Sequence, residues 1–117
     1  MLYSNYVIIY YQLPSGRCPV KNYLDQFKEN ESAEIRYSIN LVAKYHGVPP
    51  PPYSKHIKNK IWELRVKFNK NQHRILYFIT KTQGVVLLTA FQKKTTKTPQ
   101  SEIIKATKYY FDYLSNI

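Results

Sequence analysis

The chain has one cysteine, three glycines and seven acidic residues in 117 positions. The single cysteine, Cys18, excludes an internal disulfide framework and any multi-cysteine zinc site. That usage suits a reducing, cytoplasmic setting. Three glycines leave no glycine-rich phosphate loop. No apolar run is long enough to span a bilayer; the longest, Tyr6–Tyr11 and Val85–Leu88, have strand length. The start of the chain shows no basic region, apolar stretch and small-residue cleavage site in sequence, so no secretory signal is expected. His46, His56 and His73 are scattered, without helical ligand spacing or a carboxylate cluster, which argues against a metal site. His56 and His73 remain conceivable acid–base groups, although each reads more readily as a partly exposed loop residue. Cys18 has no nucleophile signature around it and reads as a small filler or helix-cap position.

Basic residues are plentiful. Eighteen Lys and Arg give a formal net charge of +11. Aromatics make up 15%, including 12 tyrosines, so the chain is not a disordered basic tail. The charge is concentrated. Residues 1–54 carry +1 and residues 98–117 carry 0, whereas residues 55–97 hold eleven basic side chains against Glu63 alone. A merely solubilising surface mixes signs along the chain. A cluster of this kind calls for a polyanionic partner.

The length suits one domain, residues 1–117. Tyr3–Leu13 is rich in strand-forming residues and is broken by Pro14-Ser15-Gly16. Pro19 opens a helix with Val20, Tyr23, Leu24 and Phe27 on one stripe. A second helix is expected from about Ser32, with Ile35, Ile39, Val42 and Tyr45 on one face and Gly47 as its stop. Pro49–Pro52 then imposes an extended link. In Ile61–Asn69 the period changes. Trp62, Leu64, Val66 and Phe68 alternate with Glu63, Arg65 and Lys67, as on the two faces of a strand. Trp62 therefore belongs to the core rather than to a base-stacking surface. A turn at Asn69–Gln72 leads to strands His73–Thr80 and Val85–Phe91. Thr98 and Pro99 read as the N-cap and first residue of a closing helix, with Ile103, Ala106, Tyr110, Leu114 and Ile117 as its stripe.

This order predicts an α+β fold: two N-terminal helices and a C-terminal helix on a four-stranded, mainly antiparallel twisted sheet. Helices are expected mainly on one face, leaving the other open and basic. Arg65 and Lys67 share that face, roughly 7 Å apart by strand rise. Arg74 opens the next strand, and Lys93, Lys94 and Lys97 follow the last one. Arginine offers phosphate a planar fork and lysine a point charge.

Three stretches resemble the phage-derived, HigB-like branch of the HigB/RelE toxin superfamily. They are Ile61-Trp62-Glu63-Leu64-Arg65-Val66, His73-Arg74-Ile75-Leu76-Tyr77-Phe78 and Phe91-Gln92-Lys93-Lys94-Thr95-Thr96-Lys97-Thr98-Pro99. The stretch Leu13–Val20 is similar to that branch as well. The resemblance implies a RelE-like compact fold and the toxin of a type II toxin–antitoxin pair. It implies a metal-independent, cofactor-free endoribonuclease that cleaves translated mRNA on the 70S ribosome. Its partner would be a helix-turn-helix, HigA-like antitoxin, with DNA met only through that partner. By the same resemblance, Arg65 and Arg74 contact phosphate, and Lys93 or Lys94 fills a further basic catalytic position. Glu63 is either a general base or the group that orients Arg65. His56, Lys58, Lys67 and Lys97 are read as additional RNA contacts. The relatives' tyrosine or histidine after the last strand has no counterpart here, which leaves Lys94, Lys97 and His56 as candidates for the general acid. The alternatives are a ParE-like gyrase inhibitor of the same fold and a plain RNA- or ribosome-binding module.

Overall fold

Alternating apolar residues and helical stripes build eight elements in the computed structural model, which describes residues 4–117. They are β1 (Val7–Tyr10), α1 (Pro19–Leu24), α2 (Glu29–Lys44), β2 (Ser54–Lys58), β3 (Ile61–Phe68), β4 (Asn71–Ile79), β5 (Gly84–Gln92) and α3 (Gln100–Ser115). The sheet has five strands in the order β1-β5-β4-β3-β2. It is mixed, because β1 runs parallel to β5 while the other pairs are antiparallel.

Two corrections to the expected sheet follow. The fifth strand is β2, a polar Ser-Lys-His-Ile-Lys segment at the edge beside β3. Lysines on an edge strand discourage pairing with a second chain, and they also hide the strand's apolar signal. The first strand is also shorter than the expected Tyr3–Leu13; Tyr3 lies outside the described residues.

Both faces of the sheet are covered. Val20, Tyr23 and Leu24 of α1 and Ile35, Ile39 and Val42 of α2 pack on Leu64, Val66, Ile75, Tyr77, Val85 and Leu87. Ala106 and Tyr109 of α3 pack on the opposite face, against Ile61, Leu76, Phe78, Val86 and Leu88. Burying each large aliphatic side chain contributes about 1.5–3 kcal/mol, so each stripe suffices to hold its helix down. The expectation of helices mainly on one face, with an open basic face behind, is therefore corrected. β3 keeps the expected alternation, with Leu64 and Val66 buried and Trp62 packed against the same cluster.

Helix ends also differ from expectation. α2 starts at Glu29, three residues before Ser32. The Ser32 hydroxyl instead donates to the carbonyls of Leu24 and Phe27, closing the end of α1. The end of α2 is marked by Gly47, at φ +95, where a Cβ would meet the Ile79 side chain at 2.4 Å. Its carbonyl accepts the Tyr77 hydroxyl at 2.7 Å. Only glycine fits that conformation and that approach. Cys18 stands at the N-cap of α1 without a side-chain cap bond, and its thiol lies 3.4 Å from the Tyr11 carbonyl. α3 begins at Gln100 with Pro99 as N-cap and no side-chain cap bond, so Thr98 is not the cap. The far end of the α3 stripe is also not core: Leu114 and Ile117 are exposed.

A candidate anion site on strands three and four

Arg65 of β3 and Arg74 of β4 stand directly opposite each other in the ladder. Like charges at such a pair are destabilising unless something neutralises them. Glu63 does so. Its side chain is completely buried, with Oε1 3.2 Å from Arg65 Nε and 3.7 Å from Arg74 Nε. Its Oε2 accepts the hydroxyl of Thr98, from the loop before α3. Both oxygens are thus engaged. The Thr98 hydroxyl, free of any capping duty, fastens that loop to the sheet.

Arg74 is nearly buried, and its head is held by the His73 carbonyl and by Gln72 Oε1, each at 3.1 Å. Its Nε has no hydrogen-bond partner. Burial pushes its pKa down, Glu63 pushes it up, and Arg65 pushes it down again. Guanidinium nonetheless stays charged in proteins. Lys93 joins the group because β5 delivers it: its amide donates to the Gln72 carbonyl at 2.7 Å. Burial lowers its ammonium below the ordinary lysine range, as do Arg74, Arg65 and Lys55, with Glu63 acting in the opposite direction. Lys55 stands on β2 opposite Glu63, on the same face. Four cations therefore surround one buried carboxylate.

Among the residues singled out from the sequence, Glu63, Arg65, Arg74 and Lys93 come together. Lys67 follows Arg65 on the same face and lines a groove beside it. Lys94 and Lys97 are exposed on the loop between β5 and α3. His56 stands opposite Trp62 and lies edge-on to it, its ring centroid 5.4 Å from that of Trp62, so it belongs to the other face. Lys58 pairs with Ile61 at the far end of β2. The sequence reading missed Lys55 and Thr98. Lys55 was visible only as one charge among eleven, and the local pattern at Thr98 reads as a helix cap rather than a partner for Glu63.

His73 is not a partly exposed loop residue. It is fully buried in β4, on the face covered by α1 and α2. Its Nε2 lies 2.6 Å from Glu31 Oε2 and its Nδ1 2.6 Å from the Tyr23 hydroxyl. A carboxylate only accepts, so the bond between His73 and Glu31 is donated by Nε2, and Nδ1 pairs with the Tyr23 hydroxyl. Bonds from Asn71 and His73 hold the Glu31 carboxyl below its usual range, against the effect of burial. This chain ties α1 and α2 to β4 and stands apart from the cations.

The groove beside the cations has a volume of about 380 Å³. It opens past the N-terminal end of β2, beyond the bond from the Arg65 amide to the Tyr53 carbonyl. Arg65, Lys67, Gln72 and Arg74 form one side, and Glu34 and Ser38 of α2 form the other. Such a groove, with Arg65, Lys67 and Arg74 in its lining, can hold an extended anion. Among the described residues no group of three His, Cys, Asp or Glu side chains is placed to hold a metal ion. No described helix is long and apolar enough to cross a membrane.

A search among curated proteins finds no match to the chain. Residues 22–110, which include every element from α2 to β5, half of α1 and most of α3, match the phage-derived Gp49-like protein family (DUF891). The chain therefore belongs to the phage-derived Gp49-like family (DUF891), a family associated with RelE/HigB-type toxins.

Proposed function

We propose that this protein is the toxin of a type II toxin–antitoxin pair of the HigB/RelE kind, and that it is a metal-independent endoribonuclease acting on translated mRNA. The observation that supports this most is the surplus of cations around Glu63. One carboxylate answers Arg65, Arg74, Lys93 and Lys55, so the site needs a further anion for balance. A phosphodiester supplies it, and a phosphorane transition state supplies it better, because its charge is greater.

In this reading Arg65 and Arg74 hold the non-bridging oxygens. The ribose 2′-oxygen attacks phosphorus, its proton passing to solvent, and the bond to the 5′-oxygen breaks. Lys93 gives its proton to that leaving oxygen. A 2′,3′-cyclic phosphate and a free 5′-hydroxyl result. An amine pushed below the ordinary lysine range is a stronger acid than an exposed one. Glu63 is a positioning residue here, because it is inaccessible and both its oxygens are engaged. Lys67, Lys94 and Lys97 attract RNA from a distance. The partners are the ribosome with its message, and a helix-turn-helix antitoxin with an acidic surface that neutralises the cations. DNA is met only through that antitoxin.

Induced expression without antitoxin should stop growth, and Arg74→Ala should lift the arrest while the protein stays soluble and folded by circular dichroism. Undiminished arrest by a folded R74A protein would remove Arg74 from the site.

A further inference from the structure

We propose that the groove at the open edge of β3 is a nucleoside pocket for the nucleotide whose phosphate lies on Arg65 and Arg74, and that it selects a base rich in N–H donors, guanine above uracil. The proposal rests on the ribonuclease reading and adds a substrate preference to it.

The groove is lined by unlike charges. Arg65, Arg74 and Lys67 reach it from the sheet. Glu34 reaches it from α2, and it takes part in no ion pair among the described residues. A groove that served phosphate alone has no use for that carboxylate, which repels phosphate. A nucleotide resolves the conflict, because it is an anion at one end and a set of polar edges at the other.

Pro52 and Tyr53 line the groove as well. The Tyr53 side chain is nearly half exposed, at 46%. Its backbone is fixed, however: the Tyr53 carbonyl accepts the Arg65 amide at 2.9 Å, and the Tyr53 amide donates to Pro50 at 3.1 Å. An exposed aromatic ring on a pinned backbone is a ready stacking platform, and stacking tolerates any base. Discrimination then falls to Glu34. Guanine offers N1–H and N2–H together, which a carboxylate accepts as a bidentate pair. Uracil offers one N–H between two carbonyls, and both carbonyls repel the carboxylate. Strand alternation also turns the Lys67 amide and carbonyl toward the same edge as the Arg65 amide, past the end of β2, where no strand pairs with them. The groove volume of about 380 Å³ lies at the low end for small-molecule sites, a size suited to one nucleotide.

The test is titration of the protein with GMP, UMP and inorganic phosphate, followed by calorimetry and by amide shifts. Wild-type protein should bind GMP about tenfold more tightly than UMP. Glu34→Gln should bring the two nucleotides within about twofold of each other and leave phosphate affinity unchanged. Tyr53→Leu should weaken both nucleotides and spare phosphate. Both positions are exposed, so neither variant threatens the fold. Equal affinity of wild-type protein for GMP and UMP would overturn the pocket and leave the phosphate site standing. Failure of all three probes, phosphate included, would overturn the ribonuclease reading and the pocket with it.

Discussion

Replacing Lys93 by arginine should cut the rate of RNA cleavage by about a hundredfold or more while leaving RNA affinity within about threefold. The reasoning separates charge from proton. Arginine keeps the positive charge that holds phosphate, but it does not give up a proton near neutral pH. Lysine does so more readily here than in solvent, because burial and the neighbouring Arg74, Arg65 and Lys55 all disfavour its ammonium form. For a general acid the protonated form is the active one. Cleavage by the wild-type protein should therefore fall as pH rises through the Lys93 pKa, and that fall should set in below the ordinary lysine range. Single-turnover cleavage across pH, with RNA binding measured in parallel, checks both parts. A K93R protein that cleaves at the wild-type rate would reduce Lys93 to a fixed charge.

Replacing Glu63 by glutamine should lower the stability of the protein by about 3 kcal/mol. For a chain of this length that corresponds to a fall in Tm of about 10 °C or more. The substitution keeps the shape and keeps an oxygen for the Thr98 hydroxyl. It removes the charge between Arg65 and Arg74, which face each other across neighbouring strands, and it turns an N–H donor toward their guanidinium groups in place of an acceptor. The Arg65 side chain is 34% exposed and can turn to solvent, so most of the cost comes from Arg74, whose side chain is only 8% exposed. Thermal and denaturant unfolding measure the loss. An E63Q protein with wild-type stability and no cleavage would make Glu63 a general base rather than the group that holds the arginines.

The parts of this site differ in how plainly the sequence announces them. Alternation in Ile61–Phe68 placed Arg65 on the face opposite Leu64 and Val66, since period two leaves no other arrangement. The stripes of α1 and α2 were legible as far as Leu24 and Val42, whereas Phe27 lies past the end of α1 and Tyr45 is the exposed C-cap of α2. The face of the sheet that they cover was not legible, because a stripe shows that a helix packs and not where. α3 covers the face that seemed free, and the cations occupy only what it leaves. β2 escaped notice because Ser54, Lys55, His56 and Lys58 mask its one apolar residue, Ile57. Its pairing then brings Lys55 opposite Glu63, a relation no local pattern contains. The Thr98 bond to Glu63 spans 35 residues and depends on one hydroxyl. His73 reads as polar, yet the core accepts it because Tyr23 and Glu31 satisfy both ring nitrogens. Charge clustering thus pointed to the segment that carries this cluster. Burial of the lone carboxylate, which orders the cations, became visible only in three dimensions.

The central claim is that this cation cluster breaks phosphodiester bonds in translated messages. Mapping RNA ends across the cell after induction, with and without active translation, tests it most directly. New cuts are expected inside translated reading frames, ending in 2′,3′-cyclic phosphate, and they should disappear when translation is blocked. Intact messages in growth-arrested cells, with damaged DNA in their place, would contradict it and favour inhibition of gyrase.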